Sequence, residues 1–154
     1  KDKLYTDLLF LEKNFKGVMP LEITVDTKKK NGILRLSTIR KLDQLQDTLA
    51  LYPEFSKPLS VVEVVKSAKQ AFYHGNPKMY SLPNNQEKNF ILSYIPSMHS
   101  KKKNILSSFV DSTLRITRVS VQMANIGTND IDRIVKSLRP KINEIFPPKK
   151  YAVH

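Results

Sequence analysis

The sequence predicts an α+β fold of the ferredoxin-like, split β-α-β kind, with an extra N-terminal helix and a helical insertion. Three observations predict it: strand-like alternation near both ends of the chain, helical stripes between and after these strands, and an order of β-α-β followed by β-α-β once the first helix and the insertion are set aside. The chain has 154 residues, of which 40% are hydrophobic. This is enough for one domain with a sizeable core.

The first segment predicts a helix followed by a strand. Large apolar residues recur at helical spacing, and Gly17 follows them as a stop signal. This stripe consists of Leu4, Leu8, Leu11 and Phe15. Leu21, Ile23 and Val25 then alternate with polar residues, which is typical of a strand with one buried face. A polar, lysine-rich turn at residues 27–32 is expected next.

A second helix is predicted to begin with Ser37 as N-cap and to run to about Leu51. Its inward face consists of Ile39, Leu42, Leu45 and Leu49. Pro53 ends it, and a short extended piece at residues 56–59 follows.

A third helix is predicted at a capping box. Ser60 and Glu63 have the spacing at which two side chains satisfy each other's free backbone N–H groups at a helix start. The buried stripe is expected to be Val61, Val65, Ala68 and Phe72. Gly75 closes the helix.

The middle of the chain is interpreted as an insertion. Residues 76–100 are interrupted repeatedly by Pro and Asn, and a short helix is predicted over residues 86–94. We interpret residues 76–100 as an insertion or lid rather than as part of the central sheet. We therefore treat residues 61–104 as a helical insertion within one domain that spans residues 1–154.

Two β-rich runs follow, at residues 107–110 and 114–123, joined by the turn-like triplet 111–113. In the second run Val119, Val121 and Met123 share one phase, whereas Leu114 and Ile116 share the other. This change of phase predicts a bulge or twist between them.

The last helix has the strongest pattern. Thr128 is its expected N-cap, and Pro140 inside it predicts a kink or break because proline removes one backbone donor. Its apolar face consists of Ile131, Ile134, Val135, Leu138, Ile142 and Ile145. Residues 150–154 indicate the opening of a final strand.

The composition argues against most catalytic classes. The chain has no cysteine, so disulfides, thiolate metal sites and a cysteine nucleophile are excluded. Its four glycines lack the spacing of a phosphate-binding loop, and its three histidines form no metal motif. Asp130 and Asp132 are interpreted as first-turn residues that favour the helix dipole, and Asp111 as a turn residue. We expect no enzyme, no metal and no cofactor.

The net charge of +12 leaves three interpretations open. Eight positive charges lie in three lysine runs, and without them the net charge falls to +4. The runs are Lys28–Lys30, Lys101–Lys103 and Lys149–Lys150. Solvated turns, contact with anionic lipid headgroups and nucleic-acid binding would each use such lysines. Only six of the 26 basic residues are arginine, which reads guanine better, so nucleic acid is the less favoured partner.

Aromatic and methionine side chains concentrate in the insertion. They either pin a loop to the core or line an adaptable apolar cleft. The candidates for substrate or inter-domain contact are Tyr73, Met79, Tyr80, Phe90 and Tyr94.

Five short segments, taken in order, resemble the large extracytoplasmic loop of exporters of the RND superfamily, MMPL-like and related to the Patched and sterol-sensing proteins. The segments are FKGVMPLEI at 15–23, VDTKK at 25–29, YSLPNNQEKNFIL at 80–92, SFVDST at 108–113 and NIGT at 125–128. The likeness covers nearly the whole chain. One departure is that such loops often have glycine after Asp-Ser-Thr, where this chain has Leu114.

The resemblance implies a porter-type domain between two transmembrane helices of a bacterial inner-membrane transporter. Such transporters carry two equivalent loops that together form the path of a hydrophobic or lipidic substrate outside the membrane, and proton movement within the absent helices supplies the energy. The implied partners are those helices, the paired loop domain and the adjacent membrane. The lysines expected near headgroups are Lys28, Lys29, Lys30, Lys101, Lys102 and Lys103. A basic nucleic-acid-binding module is the alternative.

The longest stretch without a charged residue is residues 89–100, which is too short to span a bilayer. The chain begins with Lys1 rather than Met and has no signal-peptide pattern, which indicates a piece of a longer protein.

Overall fold

An antiparallel sheet organises the fold, a mixed α+β arrangement. The structure, a computed structural model, describes residues 19–91, 109–123 and 128–154. Within them the strands are β1 (Met19–Asp26), β2 (Ile116–Met123) and β3 (Ala152–Val153), in the order β2-β1-β3. The α-helices are α1 (Leu36–Ala50), α2 (Val61–Phe72) and α3 (Thr128–Ile145), and 3₁₀ turns occur at Gly32–Leu34 and Pro77–Met79.

The central pair of strands has one buried and one open face, as predicted. Val25 and Val119 are completely buried, whereas Glu22 and Arg118 on the opposite face form a 3.5 Å ion pair. The pairing is unbroken from Met19 opposite Met123 to Asp26 opposite Ile116. Of the predicted bulge or twist, the bulge is therefore wrong: Ile116 lies on the open face, opposite the phase of Val119.

Leu114 stands outside the strand, in the turn that precedes it. Its φ of 55° is in the left-handed region. A side chain is disfavoured in this region, and glycine is not. The turn at residues 111–113 is confirmed, since Asp111 accepts hydrogen bonds from the backbone N–H groups of Arg115 and Ile116 at 2.9 and 3.0 Å.

Two short segments flank the central pair. Residues 55–59 run antiparallel beside β2, with Phe55 bridged to Met123 and Leu59 to Ser120. On the other side β3 pairs with the end of β1, which confirms the final strand. Across the sheet the order is therefore residues 55–59, β2, β1 and β3.

Helix α1 confirms its predicted inward face but begins earlier than predicted. Its four inward residues, Ile39, Leu42, Leu45 and Leu49, are completely buried. The N-cap is Arg35 rather than Ser37. Leu36 is itself buried next to Ile39 in the core, so the chain is already helical there and Ser37 falls in the exposed first turn.

Helix α3 runs through Pro140 without a break, so a break at this position is the wrong prediction. Pro140 is exposed, and the carbonyl that loses its donor, that of Lys136, also lies on the exposed side, where water can bond to it. The buried residues of α3 are Ile134, Leu138, Ile142 and Ile145. They join the same core as α1 and the sheet.

Helix α2 belongs to that core although it lies in the predicted insertion. Val61, Val65 and Ala68 are buried as expected, but Phe72 is 51% exposed because the helix end projects beyond the core. Ser60 caps the helix by accepting a hydrogen bond from the backbone N–H of Val62 at 3.1 Å. The capping box is only half formed, since the Glu63 carboxylate bonds to other side chains.

Some predictions fall outside the described residues. These are the first helix at 4–15, the first half of the run at 107–110, and the part of the insertion from 92 to 104, although residues 88–91 are helical. No helix among the described residues is long and apolar enough to cross a bilayer.

Candidate functional site

The aromatic candidates divide into two groups at the two ends of α2. At its C-terminal end, Phe72 stacks on Phe90 with ring centroids 6.4 Å apart and meets Tyr73 edge-on at 5.3 Å. Tyr80 lies instead at the N-terminal end, where its hydroxyl donates to Glu63. Among the described residues no ring contact joins Tyr80 to the other group. Met79 is half-buried, and Tyr94 is outside the described residues.

Phe72 and Phe90 are the most exposed of the described aromatic residues in this region. The two rings are 51% and 65% exposed, whereas most large apolar side chains of the described fold are buried. Exposed apolar surface of this kind often marks a place where another molecule binds. Phe72 was assigned to the core by the sequence, so its role on the surface was missed. Its position at the last turn of α2 is what exposes it.

Buried polar contacts hold the segment that carries Phe90. Lys69, only 9% exposed, pairs with Glu87 at 3.2 Å and donates to the Ser81 hydroxyl at 3.1 Å. Tyr73 donates its hydroxyl to the same Glu87, and this hydrogen bond lowers the pKa of the Glu87 carboxyl. These bonds fix residues 81–91 against α2, and they therefore hold Phe90 in place beside Phe72.

Tyr80, at the N-terminal end of α2, is also fixed by hydrogen bonds. Burial, and then the hydrogen bond to Glu63, raise the pKa of Tyr80 to about 12, so its hydroxyl remains a donor at neutral pH. Gln46 of α1 also donates to Glu63 at 3.2 Å. Tyr80 therefore ties the 3₁₀ turn to α2 directly, and to α1 only through Glu63, which is a structural role.

The six lysine candidates do not form one site. Lys28 and Lys29 line a cavity of about 430 Å³, and Lys30 does not line it. Lys101–Lys103 are outside the described residues. We call this the basic cavity and define it by its six cationic residues: Lys28, Lys29, Arg35, Lys41, Lys149 and Lys150.

Four of these six cations were not assigned to a site from the sequence. The run Lys149–Lys150 was visible, but its approach to Lys28 depends on the pairing of Ala152 with Asp26, which connects residues far apart in the chain. Arg35 and Lys41 come from the first turns of α1. No local pattern indicates that these segments meet.

Asp26 and Arg115 form a two-bonded ion pair beside this region. The guanidinium donates from Nε and from a terminal nitrogen at 2.8 and 2.7 Å. These hydrogen bonds lower the pKa of Asp26 from 3.8 to about 2. The pair therefore stabilises the folded state above pH 3.8, and this contribution is lost as the pH falls through about 2.

We predict that Asp26→Asn removes part of the acid sensitivity of the fold. The melting temperature of the unchanged protein, measured from about pH 5 down to pH 2, should fall more steeply than that of the variant. Arg115→Gln should flatten the profile in the same way because it removes the same pair. An unchanged slope in both variants would contradict the assignment.

Comparison with known proteins returns no relative: no family model, no curated protein and no solved structure matches this chain. The described residues also contain no group of three His, Asp or Glu side chains placed to hold a metal ion. The function is therefore inferred from the residues and geometry of the chain itself.

Proposed function

We propose that this chain is an extracytoplasmic, porter-like domain of a proton-driven RND-type exporter and forms part of the path of a hydrophobic or lipidic substrate. The order of strands across the sheet carries the proposal. In a ferredoxin-like arrangement two β-α-β units interleave, with the first strand of each in the middle and the last strand of each at an edge. Here β1, α1 and residues 55–59 would form one unit, and β2, α3 and β3 the other.

The turn before β2 supports the same proposal. Loops of the family that the five motifs resemble often carry glycine after Asp-Ser-Thr. In this chain Leu114 holds that position with a φ of 55°. Glycine adopts this conformation without cost. Leu114 therefore differs from the glycine of those loops in residue type, but it holds a backbone conformation that glycine would favour.

The exposed aromatic stack is the proposed contact of this domain. It belongs to the stretch between the two β-α-β units, and it presents two phenylalanine rings to the surroundings. Such a surface suits a hydrophobic substrate or the paired loop domain. In operation, proton binding in the transmembrane helices would shift their packing, and this domain would move as a rigid body against its pair.

The reading frame that contains this sequence provides the first test. We expect hydrophobic runs of about 20 residues before Lys1 and after His154. Flanks that stay polar for about a hundred residues on both sides would overturn the proposal, because no bilayer-crossing helix would adjoin the domain.

Location and contact are tested in the full-length protein. Phe72→Cys introduces a thiol into a domain that has none, and a membrane-impermeant maleimide should label it in intact spheroplasts. Labelling only after permeabilisation would contradict an extracytoplasmic position. Ser112→Cys, also exposed but in the turn before β2 and outside the proposed contact, is the matched control and should label from the same side of the membrane.

A second measurement addresses the substrate path. Phe72→Ala combined with Phe90→Ala should slow efflux of a hydrophobic fluorescent dye severalfold. Leu51→Ala, at a leucine that is 76% exposed elsewhere on the surface, should leave efflux unchanged. Equal efflux in all three proteins would remove the stack from the proposed path.

A further inference from the structure

The basic cavity lies where three segments of the chain meet. The turn after β1 contributes Lys28 and Lys29, the first turns of α1 contribute Arg35 and Lys41, and the link between α3 and β3 contributes Lys149 and Lys150. The cavity is about 430 Å³ in volume and is open to solvent. It is distinct from the aromatic stack and takes no part in the proposed function.

The charge of this cavity is not neutralised within the described part of the protein. No Asp or Glu lines it, and none of its six cations forms an ion pair with a described carboxylate. The carboxylate of Asp26 nearby is paired with Arg115; it also accepts a hydrogen bond from the backbone N–H of Lys28 at 2.8 Å and offsets the charge of that one lysine in part. The side chains of Lys41 and Lys28 donate to the backbone carbonyls of Ile145 and Pro148, at 2.9 and 3.4 Å. Six like charges around one cavity repel one another, so a bound anion would stabilise the fold.

Neutral donors add to the cations. Helix α1 has no side-chain cap and no acidic residue in its first turn. The backbone N–H groups of Ser37 and Thr38, two residues that line the cavity, donate to no described acceptor, so the positive end of the helix has unused donors at the cavity wall. An acidic or capping residue would ordinarily occupy this position.

A buried hydroxyl provides an independent indication. Thr38 lines the basic cavity and is 1% exposed, yet its side chain forms no hydrogen bond to any described residue. Buried hydroxyls are nearly always bonded, and leaving one without a partner is costly. Thr27, also in the lining, already donates to the carbonyls of Arg115 and Lys29 at 2.8 and 3.1 Å. An acceptor supplied by a ligand would satisfy Thr38.

We propose that the basic cavity binds a phosphate group carried by a larger polar molecule. A phosphate offers several acceptor oxygens and up to two negative charges, which suits a site of cations, helix N–H groups and one hydroxyl. A cavity of about 430 Å³ exceeds one phosphate, so the group would enter with the molecule that carries it. The phosphate comes either from a phospholipid headgroup or from a soluble phosphorylated compound, and the experiment separates the two.

The first arm measures binding of pyrophosphate to the 154-residue chain by calorimetry at constant ionic strength. We expect saturable binding that also raises the melting temperature. Lys29→Gln combined with Lys149→Gln should weaken the affinity about tenfold or more, because two charge-assisted contacts are lost. Lys78→Gln combined with Lys136→Gln removes the same charge from exposed positions outside the cavity and should change nothing.

Thr38→Val tests the site without a change of charge. The side chains are similar in size, so the variant should melt no lower than the unchanged protein in anion-free buffer. Its affinity for pyrophosphate should fall severalfold, because one donor to the anion is gone. Equal weakening by the Lys78 and Lys136 control, or no effect of both Thr38→Val and the cavity double variant, would overturn the proposal.

The second arm identifies the source of the phosphate. Vesicles of four parts phosphatidylcholine to one part phosphatidic acid should sediment the chain, and pyrophosphate should compete, if a headgroup is the ligand. Pyrophosphate binding without sedimentation supports a soluble compound. If neither probe binds and a single-stranded oligonucleotide does, the proposal is wrong and nucleic acid is the partner; the absence of all three kinds of binding also overturns it. None of these outcomes bears on the flanking helices, so the proposed function stands or falls separately.

Discussion

Replacing Leu42 by alanine should lower the free energy of unfolding by about 2–5 kcal/mol. Leu42 is completely buried in the middle of α1, in the core to which the sheet and the other α-helices contribute. The change removes apolar surface from the core and leaves a cavity that close-packed neighbours fill only in part. A loss of this size is a large share of the stability of a typical domain.

The chain offers a matched control nine residues further on. Leu51 is 76% exposed at the end of α1. Leu51→Ala should therefore change the free energy of unfolding by less than about 0.5 kcal/mol. Urea denaturation monitored by circular dichroism measures both changes from the midpoint and slope. Similar losses for the two leucines would contradict the burial described for α1.

Replacing Gly32 by alanine should destabilise the fold by about 1–3 kcal/mol, because the new methyl group has no space. A Cβ at this position would stand 2.1 Å from Oγ1 and 2.6 Å from Cβ of Thr27. Thr27 cannot move away freely, since its hydroxyl is bonded to the carbonyl of Arg115 and its backbone N–H donates to the same carbonyl at 3.0 Å.

A double-mutant cycle tests this reason directly. Thr27→Gly removes both atoms that the new methyl group would meet, so Gly32→Ala should cost clearly less in that background. The measurement is the same urea denaturation. If the cost of Gly32→Ala is unchanged when Thr27 is glycine, the close contact is not its cause.

Regular, strongly patterned elements could be predicted from the sequence. The stripe of α1 and the alternation of β1 were correct because each depends on one face of one element meeting the core. The boundary of α1 was not, because burial of Leu36 outweighed the preference of Ser37 for the N-cap. Phe72 continued a helical stripe, but the core ends before the helix does.

The change of phase at the start of β2 predicts a bulge or twist, because Leu114 and Ile116 share a phase opposite to Val119. The structure has a turn before β2 instead, in which Leu114 adopts a left-handed conformation. An apolar side chain gives no indication of this conformation. A pattern of side chains shows which residues are buried together and not which backbone conformation brings them there.

The candidate sites were predictable only in part. Lys28 and Lys29 were identified from their charge, but Lys149 and Lys150 reach them only through strand pairing over more than a hundred residues, and Arg35 and Lys41 through the position of α1. Tyr73 and Phe90 meet through Phe72, and Tyr80 is held elsewhere by Glu63. Such separations depend on tertiary structure, which a single sequence does not show.

The sheet register also has a consequence for biosynthesis. Strand β1 finds its first partner almost a hundred residues later, in β2, and its second only at Ala152–Val153. A growing chain therefore carries an unpaired β1 edge until β2 and then β3 have been synthesised, and closing so long a loop is slow. Nascent chains stopped before residue 116 should remain open to proteases and prone to self-association, whereas chains extended past residue 153 contain both partners of β1 and can complete the sheet.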